Sequence, residues 1–348
     1  MPKPFVIAVL NHKGGIAKTT TACNLATCWA ANDKRVLLVD LDAQGNAGAS
    51  FGLVRLAERG VWDVMCGRLP LADAITASPY PRLMLLPATQ EMRTADLSLA
   101  REDRGLDLLR PHLESYDADV IVLDCPPAFG IIALNALAAA HAVIIPSRPD
   151  PFSHEGLVST WQEVAKMRQI PGIGLKHIAI LLTITHEGIA PTHWIETARK
   201  EFDHRVCLTV IPSDEDVMVA AQRSIPVTVL SPDGVAGTAY RHVAQEIAKR
   251  FQLEESAPDD VVDVNDRAIL NTLREWRGGN RDLSTTSRHH HGWIDEGEGV
   301  QEQDTEDDLP DAVPKRPVPL WIKVAIASTL ALSGLLGGWA VTILKTPH

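Results

Sequence analysis

FVIAVLNHKGGIAKTTTACN, residues 5–24, decides the fold. Six apolar residues, Phe5–Leu10, are followed at once by a glycine-rich turn and then by a stretch of helical spacing from Thr19 to Asn32. A short apolar run without polar alternation reads as a strand covered on both faces. Strand, glycine loop and helix in that order make an anion site, because glycines let backbone N–H groups curl round the anion and the helix N-terminus adds its positive end. Lys13-Gly14-Gly15-Ile16-Ala17-Lys18-Thr19-Thr20 forms the loop, with Ala17 where the GxxxxGK[ST] spacing has its second glycine. Lys18 is placed for the β- and γ-phosphates of a nucleotide and the Thr19 hydroxyl for Mg²⁺.

Outward from this loop, short apolar runs alternate with longer amphipathic stretches up to about residue 251. Strands are expected at Val36–Asp40, Leu83–Leu86, Val120–Asp124, Ala142–Ile145, Ile178–Thr183 and Leu208–Ile211, and helices at Arg101–Leu113, His154–Gln169, Pro191–Phe202 and Gly237–Arg250. This alternation predicts an α/β fold with a doubly wound, mostly parallel sheet over residues 1–251. Two of the strands end in acids: VLLV runs into Asp40-Leu41-Asp42, and DVIVL into Asp124. Carboxylates at the C-terminal ends of parallel strands lie at the ligand-binding edge. One of them holds Mg²⁺ through water while another positions the attacking water.

Charge divides the chain. Of the net −11, residues 252–318 carry −10 and residues 1–251 only −3, with +2 in the remainder. The acidity therefore belongs to a segment, and the whole-chain balance does not exclude nucleic acid as a partner. With EQDTEDD at 302–308 and prolines at 310, 314, 317 and 319, residues 252–318 read as an acidic, largely disordered linker. One helical island, 266–277, sets Ile269, Leu270, Leu273 and Trp276 on one side, fit to dock on the folded domain or to recruit a partner. The His289–His291 run has a metal-binding composition, although such runs in tails are commonly inert. The five cysteines form no CxxC pair and read as reduced core residues.

In residues 319–348 the expectation is a membrane tail anchor. Between Lys323 and Lys345 lie 21 residues, 324–344, without a charge, about the length that crosses a bilayer core. Trp321 and Trp339 are spaced by about 27 Å along a helix, close to the separation of the interfacial belts. Lys315, Arg316 and Lys323 upstream, against Lys345 downstream, keep the large domain cytoplasmic, at a bacterial inner membrane. Gly334 and Gly338 form a GxxxG pair suited to close pairing of two such helices.

NHKGGIAKTTTACNLA, RVLLVDLDAQGNA, DVIVLDCPPAFG, LNALAAA, VIIPSRPDPFSHEGL and TVIPSDEDV…IPV follow in one order over residues 4–250. In these pieces the chain resembles the ParA/MinD family of deviant-Walker P-loop ATPases, in its ParA branch. The resemblance implies ATP and Mg²⁺ as cofactors and a homodimer with two ATP molecules at its interface. It implies that Gly14, Gly15, Ile16, Ala17, Lys18, Thr19 and Thr20 cradle the phosphates and that Thr19, Asp40 and Asp124 serve Mg²⁺. Lys13 then reaches the partner subunit's phosphates, Asp42 sets up the hydrolytic water, and Pro212 lies by the adenine. A ParB-like partner that stimulates hydrolysis is the family expectation, with nonspecific DNA as a further ligand; Arg199, Lys200, Arg205, Arg223, Arg241, Lys249 and Arg250 are the basic candidates for DNA contact. His12, Ala17 and Ala43 depart from the usual residues without removing a catalytic group. The implied function is a membrane-tethered ATPase that positions DNA or a protein complex. The alternative is an ATP-stabilised scaffold with negligible turnover. A tyrosine-kinase relative is disfavoured, because Tyr80, Tyr116 and Tyr240 all lie outside the tail.

Overall fold

The central strands form because their residues are apolar at both parities, so that either face of the sheet can be buried. In the computed structural model, which describes residues 3–53, 56–101, 105–186, 188–253 and 261–279, seven strands join one sheet: β1 Phe5–Val9, β2 Val36–Asp40, β3 Thr76–Ala77, β4 Leu83–Leu86, β5 Val120–Asp124, β6 Ala142–Ser147 and β7 His177–Leu182. Their spatial order is β3-β4-β2-β5-β1-β6-β7, and every pair is parallel except β3 with β4. The chain winds from β1 to one side, returns through β5 and continues to the other side through β6. The topological switch therefore lies at β1, where ligands enter open α/β sheets.

Eight helices of seven or more residues are described: α1 Lys18–Ala31, α2 Ala95–Arg101, α3 Ile131–Ala139, α4 Pro151–Met167, α5 Ile189–Phe202, α6 Glu215–Gln222, α7 Val235–Phe251 and α8 Val261–Gly279. Alternate strand residues feed two cores. Val6, Ala8, Leu37, Val39, Ile121 and Leu123 pack with α3 and α4. Ile7, Val9, Leu38, Val120 and Val122 pack with α1, α7 and α8. α1 is buried at 12 of its 14 positions because the sheet, α7 and α8 enclose it, which accounts for its Ala-, Cys- and Thr-rich composition on every side.

The sequence expectations fail in two places. Leu208–Ile211 is not a strand: Leu208 is 78% exposed, and the Leu208 and Thr209 N–H groups donate to the Glu246 carboxylate at 2.7 and 3.1 Å instead of to a ladder. The Ile211 N–H still donates to the Leu182 carbonyl of β7 at 2.8 Å, but on either side of the segment the described residues form only isolated bridges, Ile180 with Val206 and Thr185 with Pro212. The helix expected over 101–113 is two pieces, α2 and a short turn at Arg110–Glu114, separated where the Asn135 side chain accepts the Leu108 N–H at 2.9 Å. Cys23, Cys28, Cys125 and Cys207 are buried free thiols, as expected, and Cys66 is half-buried.

The helical island at 266–277 is part of the longer α8, and it docks on the α/β domain. Among the described residues no helix is long and apolar enough to cross a membrane. The 324–344 segment, the His289–His291 run and the acidic stretch at 302–308 lie outside the described residues.

Candidate active site

Parallel register brings the acidic strand ends together: Asp40 is level with Asp124, and Asp124 with Val9, directly before the glycine loop. Asp40 and Asp124 are fully buried. The Asp40 carboxylate accepts N–H groups from Asp42 at 3.1 Å, Ala47 at 3.0 Å and Gly48 at 3.4 Å. Even so, burial raises its pKa to about 7, against the relief from those bonds. Both oxygens of Asp124 are buried without a hydrogen-bond partner. Burial first, and then the Asp40 charge, hold its pKa well above the usual carboxylate range, while the Thr19 hydroxyl favours the ionised form. Two desolvated carboxylates side by side are costly unless a cation joins them.

The loop facing them is shaped by left-handed backbone at Gly15 (φ 71°) and Ala17 (φ 63°). Glycine carries such a φ at no steric cost, whereas an alanine there costs about 1–2 kcal/mol. Ala17 thus retains the turn of the family's glycine with added strain, a state that persists where surrounding structure fixes it. The following α1 begins without a side-chain cap and without an acid in its first turn, so its positive end is left for an external anion. Lys18 is only 8% exposed and donates to the Lys13 carbonyl at 2.8 Å. Burial lowers its pKa, partly offset by Asp124 and Asp42.

Asp42 is half-buried, and one oxygen of its carboxylate accepts the Gln44 N–H at 2.9 Å. Lys13 does not join the loop's phosphate cradle. Its ammonium lies 3.7 Å from Asp150 and 5.5 Å from the centroid of Phe152. Pro212 also stands apart, bridged to Thr185 beyond β7. It is linked to the cradle through Thr183, whose hydroxyl donates to the Ile16 carbonyl at 3.1 Å.

Several supporting residues give no motif signal in the sequence. Asn11 is fully buried; its amide donates to the Pro146 carbonyl at 2.7 Å, and its oxygen accepts the Lys13 N–H at 3.1 Å. Asp96 accepts the Ile132 N–H at 2.9 Å and so caps α3 from another helix. Gly130 permits this, since a Cβ there would sit 2.0 Å from the Asp96 carboxylate. Arg241, a candidate for DNA contact by charge alone, is buried and donates to the Pro232 carbonyl. Arg250 donates to the His204 and Val206 carbonyls at 2.7 and 3.0 Å.

Residues 5–176 match the AAA domain family. The sporulation initiation inhibitor protein Soj of Bacillus subtilis is 34% identical over 252 residues, covering 70% of this chain and 98% of Soj. The chromosome partitioning protein ParA of Caulobacter vibrioides is 32% identical over 251 residues, covering 70% of this chain and 94% of ParA. The chain belongs to the ParA/Soj family of P-loop ATPases. Among solved structures, cobyrinic acid a,c-diamide synthase from Mycobacterium smegmatis, with bound ADP and magnesium, is similar at 27% identity and a TM-score of 0.62, covering 73% of this chain and 98% of the synthase.

The residues present fit the ATP and Mg²⁺ of this family. Buried Lys18, the uncapped start of α1 and the αL turns suit phosphates; the unpartnered Asp124 and the Thr19 hydroxyl suit a hydrated cation. Among the described residues no cluster of three or more His, Cys, Asp or Glu side chains is arranged to hold a metal. That agrees with Mg²⁺, which keeps its waters and binds through one or two protein groups together with phosphate oxygens.

Proposed function

We propose that this ParA/Soj-family ATPase is a homodimeric switch, anchored to the inner membrane by residues 324–344, that positions DNA or a protein complex on the cytoplasmic face. The observation that carries the switch is the pairing of a finished cis site with a lysine left outside it. Lys18, Thr19, Asp40 and Asp124 converge, while the Lys13 side chain rests on a long, half-exposed contact to Asp150. That contact and the Phe152 ring 5.5 Å away are both weak holds at solvent-accessible sites, so Lys13 is free to turn to a second subunit's phosphates.

In this reading Lys18 leaves the Lys13 carbonyl for the β- and γ-phosphate oxygens, and the loop N–H groups take the remaining charge. Thr19 and Asp124, with Asp40 behind, hold the hydrated Mg²⁺. Bound Mg²⁺ neutralises charge that builds on the phosphates during transfer. Asp42 orients the attacking water from the mouth, and Lys13 of each protomer completes the other's site. An intact Asp42 favours turnover over a static scaffold.

The tether rests on the uncharged 21-residue run and its flanking bases. A permanent span would leave nucleotide state in control of dimerisation and partner choice and not of membrane residence. DNA is the cargo we favour, read by Arg199, Lys200, Arg205, Arg223 and Lys249; a ParB-like protein is the expected activator. Binding of nonspecific duplex is measured with Mg·ATP over a salt series, with Lys18→Ala as the control. ATP-dependent binding that falls steeply with salt supports phosphate contacts. ATP turnover without DNA binding rejects DNA as cargo and leaves a protein complex. Carbonate extraction of membranes tests the anchor, which is rejected if the full chain is released.

A further inference from the structure

α8 lies beyond residues 4–250, over which the family motifs run, yet it is seated firmly on the ATPase domain. Ile269 and Leu273 are 2% and 0% exposed against α1 and α7. Arg274 donates twice to Asp233, at 3.0 and 2.6 Å. Trp276, half-buried, stacks on Tyr80 with ring centroids 5.1 Å apart and planes 23° from parallel. Tyr80 in turn meets the edge of Phe51 at 5.9 Å. Both inner rings are buried, at 4% and 3% exposure.

Phe51 closes the loop that begins at Asp40 and Asp42. Its N–H donates to the Gly48 carbonyl at 3.1 Å, and the Ala47 and Gly48 N–H groups donate to Asp40. A continuous series of contacts therefore runs from α8 through two aromatic rings to the loop that presents Asp42. α8 also packs on α1 through Ile269 and Leu273, but at the start of α1 Lys18 is held by the loop after β1 and by its own bond to the Lys13 carbonyl.

We infer that Trp276 is a positioning residue for ATP hydrolysis: acting through Tyr80 and Phe51, docked α8 holds the Asp42 loop, and undocking of α8 slows turnover without weakening ATP binding. This rests on the role of Asp42 given above. It also makes the chain that follows Gly279 a route by which a load on the tail reaches the hydrolytic water.

The test is steady-state ATP turnover of the full-length protein, measured well below the unfolding midpoint of every variant. Trp276→Ala lowers kcat roughly three- to ten-fold, the range that mutations along a coupled path produce, and leaves KM for ATP within about two-fold. Trp276→Phe restores most of the loss. Tyr80→Leu, at the other end of the stack, reproduces the fall in kcat should Trp276→Ala fold poorly. Arg274→Ala, which removes the ion pair and spares the rings, turns over like the parent. The inference is overturned if Trp276→Ala loses thermal stability but keeps the parent kcat, if kcat falls no more than for Arg274→Ala, or if the loss lies in KM. Asp42→Ala separates the two levels. A dead Asp42→Ala beside a fully active Trp276→Ala refutes the inference alone; an active Asp42→Ala refutes the role on which it rests.

Discussion

Replacing Asp124 by Asn should make the nucleotide-free protein more stable while destroying its response to Mg²⁺. Asp124 is fully buried, neither of its oxygens has a hydrogen-bond partner, and Asp40 stands level with it on the next strand. An unsatisfied buried polar group costs about 1–3 kcal/mol, and a charged one more. The amide of Asn is itself unpartnered, so only the charge-dependent part is recovered, about 1–3 kcal/mol once Asp124 is ionised. For a domain of this size that is about 2–12 °C in the unfolding midpoint.

The pH dependence has a fixed sign. The folded-state pKa of Asp124 is raised above the ordinary carboxylate value of 3.8, so the folded protein holds its proton to higher pH than the unfolded chain does. The parent therefore loses stability as pH rises from about 4 through the raised pKa. The advantage of Asp124→Asn is absent near pH 4, grows as pH rises and is complete only above the raised pKa. Thermal unfolding in EDTA at pH 5, 6, 7 and 8, repeated with Mg·ATP, reads both halves. The parent gains a further rise with Mg·ATP, and the variant gains little. A variant less stable than the parent at every pH would refute the reasoning, because Asp124 would then be a structural acceptor and not a vacant cation ligand.

Three further outcomes follow from particular contacts. Ala17→Gly relieves the left-handed alanine at φ 63° and raises stability by up to about 1 kcal/mol with ATP affinity kept or improved. Ala17→Val, β-branched at a positive φ, abolishes binding of a fluorescent ATP analogue. Leu273→Ala costs about 2–5 kcal/mol by chemical denaturation, since α8 is part of the core; a fragment of residues 1–251 is correspondingly less stable than one of 1–279. Arg241→Ala lowers the unfolding midpoint and leaves salt-dependent DNA binding per folded molecule unchanged, whereas Lys200→Ala weakens that binding without a stability cost.

The phosphate loop and the three aspartates were legible because each sits at the end of an apolar run, and a run of five or six such residues bounded by polar or glycine-rich turns suits a strand covered on both faces. Register then does the rest, since β2, β5 and β1 are neighbours and their ends coincide. Leu208–Ile211 carried the same apolar signal and failed, because Glu246 takes the Leu208 and Thr209 N–H groups before a ladder with β7 can form. Arg241 shows the converse. Its charge suggests a surface, yet the Pro232 carbonyl gives the guanidinium a buried partner that no local pattern announces. Pairings across the chain, such as Asp96 with the start of α3 or Lys13 with Asp150, depend on tertiary placement and have no periodicity to read. α8 lies between the two cases: its apolar face was visible, but only the Tyr80 stack and the Asp233 pair reveal what that face covers.

The most direct test of the switch is the oligomeric state of Asp42→Ala, measured by sedimentation with Mg·ATP and with Mg·ADP, alone and combined with Lys13→Ala. The account predicts a dimer with ATP, a monomer with ADP, and a monomer in both once Lys13 is removed. A dimer that ignores both the nucleotide and Lys13 would contradict it.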